Sequence, residues 1–176
     1  MDIQSQKISV WDAFVRVFHW SLVLAYLGAW ASAEEWAGLH NQLGYFILVL
    51  VGLRLIWGLV GTRYARFSSF LRAPSTAMAY LRSLAAGRPT HYIGHNPIGG
   101  WMVIALMASL TATGVTGVMM GAEDGLWEEF HEIAAYLSLL LVAVHVGGVL
   151  VASLLHEENL IGAMLTGKKL RRNPDV

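Results

Sequence analysis

Four long apolar stretches alternate with shorter polar segments along the 176-residue chain. They cover about residues 14–33, 39–60, 98–120 and 130–155. Since a helix needs roughly 20 apolar residues to cross the hydrocarbon core of a bilayer, each stretch is long enough for one membrane-spanning helix. The pattern predicts an all-α integral membrane four-helix bundle, formed by residues 1–176 as a single domain.

The segment between the second and third stretches is too long for a simple hairpin. It contains Pro74, and Ser75 directly after it has the side chain of a helix cap. Met78, Leu81 and Leu84 then fall on one helical face. This predicts a short interfacial helix on the membrane surface. The alternative is an ordinary solvated loop.

The composition agrees with a membrane protein, because 56% of the residues are hydrophobic and 14% are charged, whereas soluble domains carry about a quarter charged residues. The chain has no cysteine, which excludes disulfides, thiolate metal ligands and a covalent C-x-x-C-H haem site. The first apolar stretch follows Lys7 and Arg16 and ends in ASAEE, as a secretory signal peptide does. We expect it to be retained as a helical signal anchor.

The charges predict the orientation of the bundle. All 12 lysines and arginines fall within residues 7–16, 54–88 and 168–172. The two other loops hold acids and no base: Glu34, Glu35, Glu123, Asp124, Glu128, Glu129 and Glu132. Positive residues stay on the cytoplasmic side. We therefore expect both termini inside and the acidic loops in the periplasm of a bacterium, with the chain in the inner membrane.

Four histidines fall at matched depths of the predicted bundle. His131 and His145 are fourteen residues apart, about 21 Å along one face of the fourth helix. His40 begins the second helix at the outer level of His131, and His19 lies in the first helix near the inner level of His145. Facing helices of a bundle are where cofactor sites are built. The pattern predicts two haems b, each between two axial imidazoles: an outer one on His40 and His131 and an inner one on His19 and His145.

Two alternatives stay open for these histidines. Each imidazole can instead form a hydrogen bond between helices, or the pairs can bind a metal without a porphyrin. A haem-free membrane anchor for a larger complex is a further possibility, which an absorption spectrum decides.

Arg54 adds an anion-binding group at the inner level. It lies fourteen residues after His40, so it faces inward at the depth of His145. A buried arginine there requires an anion, and a haem propionate or a quinone headgroup would serve, with help from Arg16. The alternative is that Arg54 extends to the inner membrane surface.

Four segments resemble the bacterial cytochrome b561 family, which includes the cytochrome b subunits of nickel–iron hydrogenases. They are VWDAFVRVFHW, LHNQLGYFILVLVGLRLIWGLVGTRYARFSSF, GHNPIGGWMV and the H-x13-H pattern of the fourth helix. The resemblance implies a di-haem b protein that exchanges electrons with quinone and a periplasmic redox partner. It implies that the haem ligands are His19, His40, His131 and His145.

The resemblance also places GHNP near the inner haem, where His95 contacts a propionate or a quinone. A loop-capping role for His95 is the alternative. The spacing of His91 and His95 is also compatible with zinc, but the prolines at 89 and 97 make a helix there unfavourable.

Two functions follow for such a protein. The first is transmembrane electron transfer between quinone and a c-type cytochrome or a similar periplasmic carrier. The second is superoxide:quinone oxidoreductase activity, but a superoxide site requires a positive funnel, whereas these outer loops are acidic. A hydrogenase cytochrome b subunit is a further alternative. A ferric-reductase-like protein is disfavoured. Proteins of that architecture carry a pair of histidines on each of two helices, whereas in this chain two of the four histidines are paired on one helix and two are single. Whether the chain is itself an enzyme stays open.

Overall fold

The computed structural model describes residues 7–87, 90, 92–120 and 125–170. These residues fold into four long helices, three short ones and one pair of short strands. In chain order they are β1 Lys7–Ser9, α1 Ala13–Ser32, α2 Ala37–Val60, α3 Phe67–Phe70, α4 Pro74–Ala85, α5 Pro97–Met119, α6 Leu126–Leu155, α7 Leu160–Thr166 and β2 Lys168–Leu170.

The four long helices α1, α2, α5 and α6 are each long and apolar enough to cross a membrane, which confirms the four predicted spans. The ends of α1, α2 and α5 lie within two residues of the prediction. Helix α6 begins four residues earlier than expected, at Leu126. Its first turn holds Glu128 and Glu129, which are hydrophilic but favourable near the positive end of a helix dipole.

Local caps fix where two of the spans begin. The Oδ1 atom of Asp12 accepts a hydrogen bond from the backbone N–H of Val15 at 2.8 Å, at the start of α1. Asn96 does the same for Gly99 at 2.7 Å, and Pro97 occupies the first position of α5. These side chains satisfy N–H groups that have no partner within the helix.

The long helices pack as two hairpins, α1 with α2 and α5 with α6, and α2 also packs against α5. Their shared core consists of Ala25, Tyr26, Ala29, Ile47, Val51, Met107 and Leu110. The opposite surfaces expose large apolar side chains, such as Leu154 with 79% of its surface accessible. An apolar exterior of this kind suits a lipid environment.

Helices α1 and α6 are joined across the bundle by Tyr26 and Ser138. The Ser138 hydroxyl donates to the carbonyl of Ala135, so it accepts from the Tyr26 hydroxyl at 2.9 Å. Ser138 is 0% exposed. It lies seven residues from His131 and seven from His145 on α6. The bridge is therefore midway between the outer and inner levels.

The predicted interfacial helix is present as α4, but the predicted cap is wrong. Ala73 rather than Ser75 occupies the cap position, and its side chain makes no capping hydrogen bond. Pro74 begins the helix, because its fixed backbone angle and missing N–H suit the first position. Met78 and Leu81 are exposed on one face, whereas Tyr80 is buried on the other.

The two ends of the described chain meet at one end of the bundle, which the sequence pattern did not predict. Strands β1 and β2 pair antiparallel, with Ile8 opposite Lys169. The backbone N–H of Val10 donates to the carbonyl of Gly167 at 2.8 Å. Lys169 also forms a buried ion pair with Glu158 at 2.9 Å. Both ends thus lie on the same side, as an even number of spans requires.

Candidate functional site

The outer histidines face each other across the bundle. The ring centres of His40 and His131 are 6.0 Å apart, and their planes are nearly perpendicular at 87°. His40 Nδ1 lies 2.8 Å from the carbonyl of Ala29 on α1. His131 Nδ1 lies 2.8 Å from the carbonyl of Thr113 on α5. A carbonyl only accepts, so each Nδ1 carries the hydrogen and each Nε2 keeps a free lone pair.

This geometry fits two axial ligands of one metal centre. An imidazole nitrogen binds a metal at about 2 Å, which puts two opposed ring centres about 6 Å apart. Within the described ranges, no group of three histidine or acidic side chains comes together to hold a metal ion. A pair of imidazoles without further protein ligands suits haem iron, whose other four positions are occupied by the porphyrin.

Glycines give this site both close packing and open space. A β-carbon at Gly117 would lie 3.0 Å from Cε1 of His131, so the absence of a side chain lets the ring lie against α5. By contrast, nothing lies within 4 Å of such an atom at Gly44, one turn after His40, or at Gly147 and Gly148, just after His145. Space beside the histidines is what a flat macrocycle needs.

The inner histidines lie on α1 and α6. His19 is in the second turn of α1, and the side chains of both His19 and His145 are half-buried. The His19 ring packs edge-on against the ring of Trp20, with centres 5.2 Å apart. Its Nδ1 atom is buried and has no hydrogen-bond partner among the described residues. The inner pairing of His19 with His145 stays a prediction, and no described residue holds the His19 Nδ1 atom as the two backbone carbonyls hold the outer rings.

Arg54 is buried in the same region, with 3% of its surface exposed. Its Nη2 donates to the carbonyl of Ala65 at 2.9 Å, and its guanidinium lies 5.1 Å from the ring centre of Phe67. Its Nη1 is buried without a partner in the described part of the chain. The side chain therefore does not extend to the surface.

His95 lies next to this group, between two aromatic rings. Its ring centre is 4.6 Å from that of Trp11 and 4.5 Å from that of Phe70. Burial first, and then the positive charges of Arg54 and Lys169, lower the pKa of His95 to about 3, so the ring is neutral at pH 7.

The structure bears on only one of the two alternatives for His95. The loop-capping role belongs to Asn96 instead. His91, which the zinc alternative needs, lies outside the described residues.

Arg16 and Asp12 hold the inner end of α1. Arg16 Nη1 donates to the carbonyl of Leu165 at 2.7 Å, while its Nε has no partner within the described ranges. Asp12 Oδ2 accepts from Trp57 Nε1 at 3.0 Å and from Thr62 Oγ1 at 2.6 Å. Burial raises the pKa of Asp12, but these hydrogen bonds and the charge of Arg54 outweigh it and lower the pKa below its ordinary value.

Sequence reasoning missed several residues that shape both sites. The acceptors of the outer histidines are backbone carbonyls, at Ala29 and Thr113, which any residue type supplies. Gly117 is one of a run of small residues in TATGVTG, a pattern that indicates close helix packing without showing what is packed. Asp12 had a readable signal as an acid before an apolar run, but its contacts across the bundle had none.

The acidic outer surface is partly described. Glu34 and Glu35 lie in the turn between α1 and α2. Glu128, Glu129 and Glu132 lie at the start of α6, on either side of His131. All five are exposed. The other two predicted members, at positions 123 and 124, lie outside the described residues.

Comparison with known proteins places this arrangement in a family. The family model described as prokaryotic cytochrome b561 matches residues 10–167. The chain is 23% identical to a probable Ni/Fe-hydrogenase B-type cytochrome subunit of Rhizobium leguminosarum bv. viciae, over 96% of this chain and 91% of that protein. No solved structure matches significantly. The chain therefore belongs to the prokaryotic cytochrome b561 family, as a multi-pass membrane cytochrome b of electron transport in the bacterial inner membrane.

Proposed function

We propose that this chain carries electrons across the membrane through two haems b, between the quinone pool and a periplasmic redox protein of the c-type cytochrome class. The outer haem is bound by His40 and His131, and the inner haem by His19 and His145. The observation that carries the proposal is the outer pair, whose rings are 6.0 Å apart and whose Nδ1 atoms are both engaged.

The protein supplies ligands, orientation and insulation in this proposal. Bound haem supplies one-electron chemistry at iron. With both imidazoles of a pair bound to its iron, a haem would have no open position for a further ligand, which favours electron transfer. The carbonyls of Ala29 and Thr113 hold the outer rings in one orientation. The apolar exterior of the four spans keeps both sites in a medium of low dielectric constant.

At the inner end, Arg54, Arg16 and His95 are proposed to hold a haem propionate or a quinone headgroup. Arg54 supports this because it is buried and its Nη1 has no hydrogen-bond partner among the described residues. His95 supports it because a neutral buried ring with a free Nδ1 can accept or donate one hydrogen bond. A quinone bound there would exchange electrons with the inner haem that His19 and His145 are proposed to bind.

The outer surface favours a protein partner over superoxide. Five exposed glutamates surround the outer histidines, and no lysine or arginine occurs in residues 17–53 or 89–167. Such a surface attracts a basic carrier and repels an anion. The similarity to a hydrogenase B-type cytochrome subunit favours a second candidate, in which the outer haem accepts electrons from a hydrogenase.

The test is haem content followed by directed electron transfer. The full chain, purified in detergent, is expected to contain two haems b by the pyridine haemochrome assay. In proteoliposomes it is expected to pass electrons from a lipid-soluble quinol to external cytochrome c. One haem or none per chain would overturn the proposal. The matched control is His156→Gln, which changes a histidine that pairs with the Tyr80 hydroxyl and is expected to keep both haems.

A further inference from the structure

One face of α1 carries three buried polar atoms without partners. Arg16, His19 and Trp20 are spaced i, i+3 and i+4, so their side chains lie on the same face. The atoms are Nε of Arg16, Nδ1 of His19 and Nε1 of Trp20, and none of them has a hydrogen-bond partner among the described residues. A buried donor without an acceptor costs about 1–3 kcal/mol, and the hydrocarbon region offers no water in compensation.

Trp20 differs from Trp57 and Trp101, two other tryptophans of this end of the molecule. Trp57 Nε1 donates to Asp12 at 3.0 Å, and Trp101 Nε1 donates to the carbonyl of Arg72 at 3.1 Å. The indole N–H of Trp20 is buried beside the His19 ring and donates to no described residue. An indole nitrogen only donates, so the missing partner is an acceptor.

We infer that Trp20 is a cofactor-binding residue of the inner site, whose indole N–H donates to a carboxylate of the group that His19 binds. This rests on the proposed function, in which that group is a haem b with two propionates. Arg16 offers a second donor on the same face, one turn away. Two donors suit the two oxygens of a carboxylate better than the single oxygen of a quinone carbonyl.

The experiment is a redox titration of the full chain with both haems bound, comparing wild type with Trp20→Phe. Phenylalanine keeps an aromatic ring beside His19 and removes the donor. A donor offsets the negative charge of the carboxylate, so its loss disfavours the reduced haem. We expect the reduction equilibrium of the inner haem to fall about tenfold, which is about 59 mV for one electron. The outer haem and the haem content are expected to be unchanged.

The matched control is Trp30→Phe on the same helix, whose ring packs against Tyr136 at 5.7 Å. It is expected to leave the inner equilibrium as in wild type. An unchanged inner equilibrium in Trp20→Phe would overturn the inference. An unchanged equilibrium with a raised KM for quinol would overturn it in favour of a quinone carbonyl. Wild type with fewer than two haems would instead reject the proposed function.

A second variant tests the inference in the case that Trp20→Phe loses the inner haem and cannot be titrated. Trp20→Tyr keeps a ring and adds an O–H donor, so it is expected to retain the inner haem. Loss in both variants, with Trp30→Phe intact, would make Trp20 a packing residue and overturn the inference.

Discussion

The outer and inner histidine pairs differ in which groups hold the side chains in place. At the outer pair, His40 and His131 each use Nδ1 to bind a backbone carbonyl of a neighbouring helix. At the inner end, five side chains have a buried nitrogen without a partner among the described residues, namely Arg16, His19, Trp20, Arg54 and His95.

Backbone carbonyls on packed helices are fixed in space, so the outer rings are oriented by the polypeptide alone. The inner nitrogens have no such partner among the described residues. Under the proposed function, the outer site is therefore preorganised and the inner site depends on its cofactor.

The largest expected effect comes from removing ligands. We expect His40→Ala and His131→Ala to lose the same haem, and His19→Ala and His145→Ala to lose the other, each variant keeping one haem per chain. Haemochrome content and low-temperature absorption spectra measure this. If His19→Ala and His131→Ala lost the same spectral component, the assignment of outer and inner pairs would be wrong.

Gly117→Ala tests the backbone contact that orients His131. Without that contact, the outer pair would lack a fixed ring orientation, as the inner pair does. The added methyl would lie 3.0 Å from the His131 ring and displace it from the Thr113 carbonyl. Changes around a ligand's supporting contacts typically cost about 10–100-fold in metal affinity, and we expect a loss of that order for the outer haem. Haem retention during competition with apomyoglobin measures it. Gly38→Ala, where nothing lies within 4 Å of the added methyl, serves as control; equal retention in both would contradict the prediction.

Arg54→Leu tests the inner end with an intermediate effect. Loss of the guanidinium removes a buried positive charge, so the inner haem's reduction equilibrium is expected to fall about tenfold, or quinol oxidation to slow. Redox titration and stopped-flow quinol kinetics measure the two. Arg63→Leu, which removes an exposed arginine beside Tyr64, is the matched control. Unchanged titration and unchanged kinetics together would leave Arg54 with a purely structural role.

The smallest expected effect concerns charge at the outer surface. Changing Glu128 and Glu129 to Gln should lower the rate of electron transfer to a basic cytochrome c roughly threefold at low salt, because the acidic surface attracts that carrier. The difference from wild type should shrink as ionic strength rises and screens the attraction. Stopped-flow reduction across a salt series measures it. A rate indifferent to salt and to both substitutions, together with rapid reduction by superoxide, would favour the superoxide alternative.

The sequence predicted those parts of the fold that depend on one-dimensional patterns. The spans follow from apolar runs, and the placement of His131 and His145 about 21 Å apart on one helix face follows from helix geometry alone. Strands of three residues, such as β1 and β2, carry no comparable pattern, because their pairing joins residues at opposite ends of the described chain.

The candidate site was predictable only in its titratable side chains. Two of its supporting groups are backbone carbonyls, which any residue type supplies. The third is Gly117, whose residue type indicates close packing but not which side chain is packed there. The cap at Ser75 was wrong because Pro74 itself begins the helix.

The pairing of β1 with β2 has a consequence for the order of events during biosynthesis. Residues 7–9 leave the ribosome early, whereas their partners at 168–170 are made after all four spans. Arg16 likewise waits for the carbonyl of Leu165. Closing so long a loop gives up chain entropy that only contacts already formed among the spans can offset. The cytoplasmic end therefore closes last, and under the proposed function a haem for the inner site would meet an open end of the bundle until then.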